Sequence, residues 1–242
     1  MQAAISLTNV TKKFGTMVAV DNLSLEIKTG ELYGFIGPNG SGKTTTIKMM
    51  TGLYRPTSGT VMVSGFDLAK TPEKAKATFG YIPDEPFVYE RMSGREFLYL
   101  VGALYRLSKE KVTARLEELK HVFPVEGIWD EYAENYSRGN KQKLTILAAL
   151  LHNPKILVID EPIVGLDPES TQSAKKILQD FVARGGTVFV ATHTLSFAQD
   201  VCTKIGILKN GRVLVEGTLE ELRHKARGEA QSLEELYLTL TH

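Results

Sequence analysis

The 242-residue chain predicts an α/β fold, with a central mainly parallel sheet, an antiparallel N-terminal β portion and an inserted helical lobe. Three observations predict it. The opening residues alternate apolar with polar side chains, as half-buried antiparallel strands do. Between about 88 and 150 the periodicity turns helical and strong helix formers accumulate. After 150, continuous apolar runs alternate with helical segments again.

In order along the chain, "AISLTNV" and "MVAVDNLSLEI" supply the antiparallel portion. "ELYGFIG" is a more continuous apolar strand, with Tyr33 and Phe35 as core candidates. It runs through a glycine-rich turn into "KTTTIKMMTGL", a helix that places Ile47, Met50 and Leu53 on one face. "GTVMVSG" is a short strand bounded by glycines. "SGREFLYLVGALYRL" and "KEKVTARLEELKHVF" read as helices of the lobe. Then come the strand "KILVID", the helix "DPESTQSAKKILQDFVARG", the strand "TVFVATH" and "KIGILKNGRVLVEG", in which "KNG" is a tight turn between two short strands. "LRHKARGEA" (222–230) links to the amphipathic "SLEELYLTL". These elements compose one domain over 1–242: an α/β core at 1–87 and 151–220, the lobe at 88–150, and a short C-terminal helical extension at 221–242.

Composition narrows the function. Hydrophobic content is 43%, charged content 24% and formal charge +1, so nothing calls for a nucleic-acid partner, and "TKK" and "KEK" read as solvated surface. The single cysteine, Cys202, excludes an internal disulfide and a cysteine-rich metal site, and reads as a small buried filler. "MQAAISLTNV" is interrupted by polar residues too early for a signal peptide. No run approaches the roughly 20 apolar residues a bilayer crossing needs. If the chain works at a membrane, another chain does the spanning.

The chemistry concentrates in "GPNGSGKT", a full phosphate-loop pattern between an apolar strand and a helical segment. Gly37, Pro38, Asn39, Gly40, Ser41 and Gly42 form the loop, with Gly40 and Gly42 letting backbone N–H groups curl around phosphates at a helix N-terminus. Lys43 reaches the β- and γ-phosphates, the Thr44 hydroxyl can ligate Mg²⁺, and Thr45 follows in the same turn. "KILVIDEP" ends in two carboxylates: Asp160 reads as the Mg²⁺ anchor and Glu161 as the group that polarises the attacking water. His193 follows the strand "TVFVAT", at the edge where open α/β sheets collect ligand groups. It donates to the γ-phosphate or holds the water together with Glu161.

The ordered series of phosphate loop, "YIPDEP", "YSRGNKQKL", "ILVIDEP", "GLDP" and "ATH" resembles the nucleotide-binding subunits of ABC transporters over 3–220. The resemblance implies a P-loop NTPase core, Mg²⁺-dependent ATP hydrolysis, and a signature whose helix N-terminus serves the γ-phosphate held by a second subunit. The usual signature is Leu-Ser-Gly-Gly-Gln, which aligns with Tyr136, Ser137, Arg138, Gly139 and Asn140. Ser137 and Gly139 match and are the implied phosphate donors. Arg138 and Asn140 depart, Arg138 either adding positive charge near the phosphates or pointing to solvent. Asp84 stands in "YIPDEP" where the family usually has a metal-contacting Gln. An ionised carboxylate binds metal through water but cannot donate, so Asp84 is carried over only as a candidate metal contributor. Phe14 matches the position that stacks on adenine, against a core-packing alternative. Asp167 is implied at the dimer seam, and read from its sequence alone is a helix N-cap with Pro168 at the first helical position.

The resemblance implies partners: a transmembrane permease chain, and a homodimer or heterodimer with a second ATP-binding subunit. It places the chain in the cytoplasm, peripheral at the inner face of the cell membrane through that permease, in an export-type system. The competing readings are a soluble ABC-type ATPase in a non-transport process, a P-loop small-molecule kinase, and a non-catalytic interaction module. Intact Lys43, Asp160, Glu161 and His193 argue against the last.

Overall fold

Alternation along β1 (Ala3–Phe14) and β2 (Met17–Lys28) produces an antiparallel pair in which Ile5, Leu7, Leu25 and Ile27 are buried. In this computed structural model, which describes residues 3–120, 129–225 and 233–241, that pair belongs to a four-stranded sheet. Its order is β2-β1-β4-β5, with β4 at Ser58–Val63 and β5 at Phe66–Asp67. A second sheet of six strands has the order β10-β9-β3-β8-β7-β6. Its strands are β3 (Leu32–Ile36), β6 (Phe79–Ile82), β7 (Ile156–Asp160), β8 (Thr187–Thr192), β9 (Lys204–Lys209) and β10 (Arg212–Gly217). Only β9 and β10 pair antiparallel there, across the Asn210–Gly211 turn, where both residues have positive φ.

Burial on both faces explains the continuous apolar runs of β3, β7 and β8. Leu157, Ile159, Val188 and Val190 point to one face and share a cluster with helices α3 (Gly94–Leu104), α4 (Lys109–Leu119), α5 (Arg138–Leu150) and α6 (Pro168–Ala183). Ile156, Val158, Phe189 and Phe35 point to the other, where they meet the antiparallel sheet and α1 (Lys43–Met50). Tyr33 and Phe35 are fully buried, as expected of core residues. Ile36, Ile205 and Ile207 pack against α8 (Leu219–Lys225) and α9 (Leu233–Thr241) through Leu222, Leu233 and Leu236.

The observed elements differ from the sequence reading in a few places. Ile47 and Met50 are buried on α1, but that helix ends at Met50, so Leu53 lies beyond it and is 57% exposed. Five short pieces among the described residues were not expected: β5, β6, α2 (Pro72–Lys76), α7 (Leu195–Val201) and a 3-10 turn at Ala133–Asn135. The end of the helix expected to reach 123 and most of the 222–230 link lie outside the described residues. No helix among the described residues is long and apolar enough to cross a membrane.

Candidate nucleotide site

Register gathers four functional segments at one end of the six-stranded sheet. Ile36 pairs with Thr192, Asp160 with Ala191 and Ile82 with Ile159, so the loops after β3, β6, β7 and β8 leave the sheet side by side. They carry Gly37, Asp84, Glu161 and His193 respectively. This is where open parallel sheets bind ligands.

The loop from Gly37 to Gly42 runs from β3 into α1, whose first residues are Lys43, Thr44 and Thr45. Gly42 has φ +108°, and a Cβ there would stand 2.6 Å from the Ala19 carbonyl oxygen on β2, so only glycine closes the loop against the antiparallel sheet. Lys43 is buried and folds back on its own loop, its Nζ donating to the carbonyls of Gly37 at 2.7 Å and Pro38 at 3.2 Å. Burial pushes its pKa down, while Glu161 and Asp160 pull it back up. The Ser41 hydroxyl is buried with no hydrogen-bond partner among the described residues. An orphaned hydroxyl, the backbone N–H groups at the start of α1 and a buried cation form a cradle that fits a polyphosphate.

Asp160 ends β7 and is buried, and burial raises its carboxyl to about 6, opposed by a hydrogen bond from Thr44. Glu161 and Asp84 push it the same way as burial, through charge repulsion. Two hard oxygen donors, Thr44 and Asp160, suit a cation that keeps most of its waters, as Mg²⁺ does. The described residues hold no cluster of three or more His, Cys, Asp or Glu that would suit a different metal.

Glu161 is the most constrained residue of the site. Its backbone is left-handed, with φ +52°, and its N–H donates to the Ala191 carbonyl at 2.9 Å. The side chain is 7% exposed and accepts three contacts. Thr192 Oγ1 donates to one carboxylate oxygen at 2.8 Å; the other receives the His193 backbone N–H at 3.1 Å and lies 2.7 Å from His193 Nδ1. A carboxylate only accepts, so Nδ1 carries the proton in this pair. Sequence reasoning missed Thr192. Its signal was a polar residue ending the otherwise apolar "TVFVAT", which is fully buried.

Ser137 is the N-cap of α5, accepting the Asn140 N–H at 3.2 Å, and Gly139 lies in the first turn beside the Gly165 carbonyl. Among the described residues neither makes a hydrogen bond to the phosphate loop of its own chain. Arg138 reaches Asp84, with Nη2 3.8 Å from Oδ1. Asp167 caps α6 by accepting the Ser170 N–H at 2.8 Å, with Pro168 at the first helical position. Phe14 ends β1, is 40% exposed, and meets Tyr54 edge-on at 5.5 Å with Lys12 Nζ 5.0 Å from its ring centre. The ring therefore lies at the rim rather than in the core.

The family model described as ABC transporter matches residues 20–164, more than half of the chain. The chain is 35% identical to the ABC-type transporter ATP-binding protein EcsA of Bacillus subtilis (strain 168), covering 98% of this chain and 96% of that protein. It superposes on a solved ATP-binding subunit of an ABC transporter with TM-score 0.93 and 33% identity, over 99% of this chain and 100% of that one. It also superposes on the ATP-binding cassette MJ0796, solved as a dimer in a post-hydrolysis state with ADP and Pi. That match has TM-score 0.81 and 28% identity, over 89% of this chain and 98% of that one. A phosphate cradle, a fixed carboxylate and a signature helix on one α/β scaffold thus meet a family match over most of the length, and the chain belongs to the ABC transporter ATP-binding subunits, as an ATPase that powers transport.

Proposed function

We propose that this chain is a Mg²⁺-dependent motor subunit that pairs around two ATP molecules, with a second copy or a related subunit, and drives a separate transmembrane chain. The observation that carries this reading is the pinned Glu161 carboxylate beside Asp160 and Lys43, on a chain whose signature serine, among the described residues, makes no hydrogen bond to its own phosphate loop. Thr44 and Asp160 would hold the metal, with Asp84 contributing through water. A bound Mg²⁺ neutralises charge on the phosphate oxygens.

Glu161 orients a water and takes up its proton, with Thr192 and His193 fixing the carboxylate. Lys43 gives up its loop carbonyls to reach the β- and γ-phosphates. Phe14 stacks on the adenine. Ser137 and the Gly139 N–H donate to the γ-phosphate held by the other subunit, and Asp167 sits at the seam. Phe87, 67% exposed, and Tyr89, 49% exposed, line a surface cleft with Glu85 and Met92, where a short helix of the transmembrane chain docks. That chain would hold the subunit at the cytoplasmic face of the membrane. The export direction rests on the "YIPDEP" and "YSRGNKQKL" variants alone.

Light scattering tests the pairing. Glu161→Gln protein with Mg²⁺ and ATP shifts from monomer to dimer, and adding Ser137→Arg abolishes the shift. A double variant that still dimerises removes the signature from the seam.

A further inference from the structure

Two of the departures from the usual family pattern are in contact. Asp84 follows β6 and Arg138 opens α5, and their side chains, each 54% exposed, form an ion pair. The arginine is not simply pointing to solvent. A Cβ on Gly165 would lie 3.0 Å from Arg138 Cδ, 3.2 Å from Cγ and 3.3 Å from Nε, so the stem lies flat on that glycine. Gly165 also has φ +83°, which glycine adopts without strain. The loop after Glu161 therefore forms a track that aims the guanidinium at Asp84. Lys141, further along α5, lines the same cleft as Phe87 and Tyr89. One helix start thus touches the docking cleft, the loop after Glu161, and the segment that carries Asp84.

We propose that Arg138 is a positioning residue whose ion pair with Asp84 fastens the signature helix to the post-loop segment within one chain, so that the two move together. The pair also offsets the Asp84 carboxylate, which otherwise adds negative charge near Asp160, where phosphates and metal must gather. A glutamine at 84 with a glycine at 138 could not do this. The functional half of the proposal rests on the reading above: approach of the signature to a partner's ATP is transmitted to the cleft through this pair.

The test is a double-mutant cycle on the full chain. Arg138→Gln keeps most of the stem that covers Gly165 and removes the charge; Asp84→Asn removes the other charge. An exposed pair contributes little to global stability, so all variants should melt with the wild type. In the nucleotide-free chain, hydrogen exchange of the amides from Asp84 to Met92, Pro86 excepted, should quicken about threefold in each single variant, the size expected for losing one exposed pair. The double variant should exchange no faster than either single, and Arg138→Lys should stay near wild type. Unchanged single variants, or effects that multiply in the double, overturn the pair.

In the Glu161→Gln background, the ATP concentration for half-maximal dimerisation should rise about threefold with Arg138→Gln and stay unchanged with Arg138→Lys. A background that fails to dimerise removes the motor reading, while the exchange data still decide the pair.

Discussion

The proposed function brings Glu161 and Ser137 to a γ-phosphate, yet the chain holds them in opposite ways. Glu161 is buried, sits on left-handed backbone and is gripped by Thr192 and His193. Ser137 stands on an exposed helix start and, among the described residues, its oxygen receives only the Asn140 N–H. The first arrangement fixes chemistry inside one molecule, where a displaced carboxylate would be ruinous. On the proposed function, the second leaves recognition open until another subunit brings its phosphate. The contrast separates what one chain can organise alone from what must be assembled.

The largest effect should come at the fixed end. Glu161→Gln keeps the shape and loses the base, so ATP turnover should fall by about 10²–10⁴-fold with nucleotide binding retained. Steady-state phosphate release alongside a binding isotherm checks this, and near-wild-type turnover would break the comparison at its stronger side.

Next in size is the stability cost of burying Asp160. Its carboxyl is raised from 3.8 to about 6, so the folded chain binds that proton more tightly than the unfolded one. The resulting contribution to stability is complete below about pH 4 and is lost as pH rises through about 6. The loss is at most about 3 kcal/mol. Denaturant midpoints without nucleotide should fall over that window, and Asp160→Asn should flatten the fall. A wild-type curve with no slope there would mean that the site carries no such cost.

Thr192→Val removes one of the three contacts to Glu161, together with the acceptor of the Thr194 N–H at the start of α7. Turnover should drop about tenfold, short of the hundredfold that outright misplacement brings. Unchanged turnover would show that His193 alone positions the carboxylate. At the open end, Phe87→Asp should weaken co-purification with the membrane chain while basal turnover changes less than about threefold, as suits a surface site away from phosphate. Intact assembly would move the docking surface elsewhere.

Much of this was legible in the sequence because it is local. The phosphate loop, Asp160, Glu161 and His193 each sit at a strand end, where pattern and spacing announce them. Alternation exposed β1 and β2, and "KNG" exposed the last hairpin. β6 was hidden because four residues of "FGYI" are too few for a periodicity to register. Thr192 was hidden because its function depends on a carboxylate from a neighbouring strand. The Asp84–Arg138 pair was hidden for the same reason: each residue looked like an isolated departure, and only the fold brings them together.

The C-terminal helices invite a different kind of question. Leu233 and Leu236 of α9 are fully buried against Ile36, the residue that hands β3 over to the phosphate loop. Exposing two such leucines costs about 3–6 kcal/mol, against a whole-domain stability of about 5–15 kcal/mol. A premature stop codon just before α9 would leave every phosphate-contacting residue intact. Its phenotype in a cell would nevertheless be scarcity, because quality-control proteases would clear the chain before its active site was ever used.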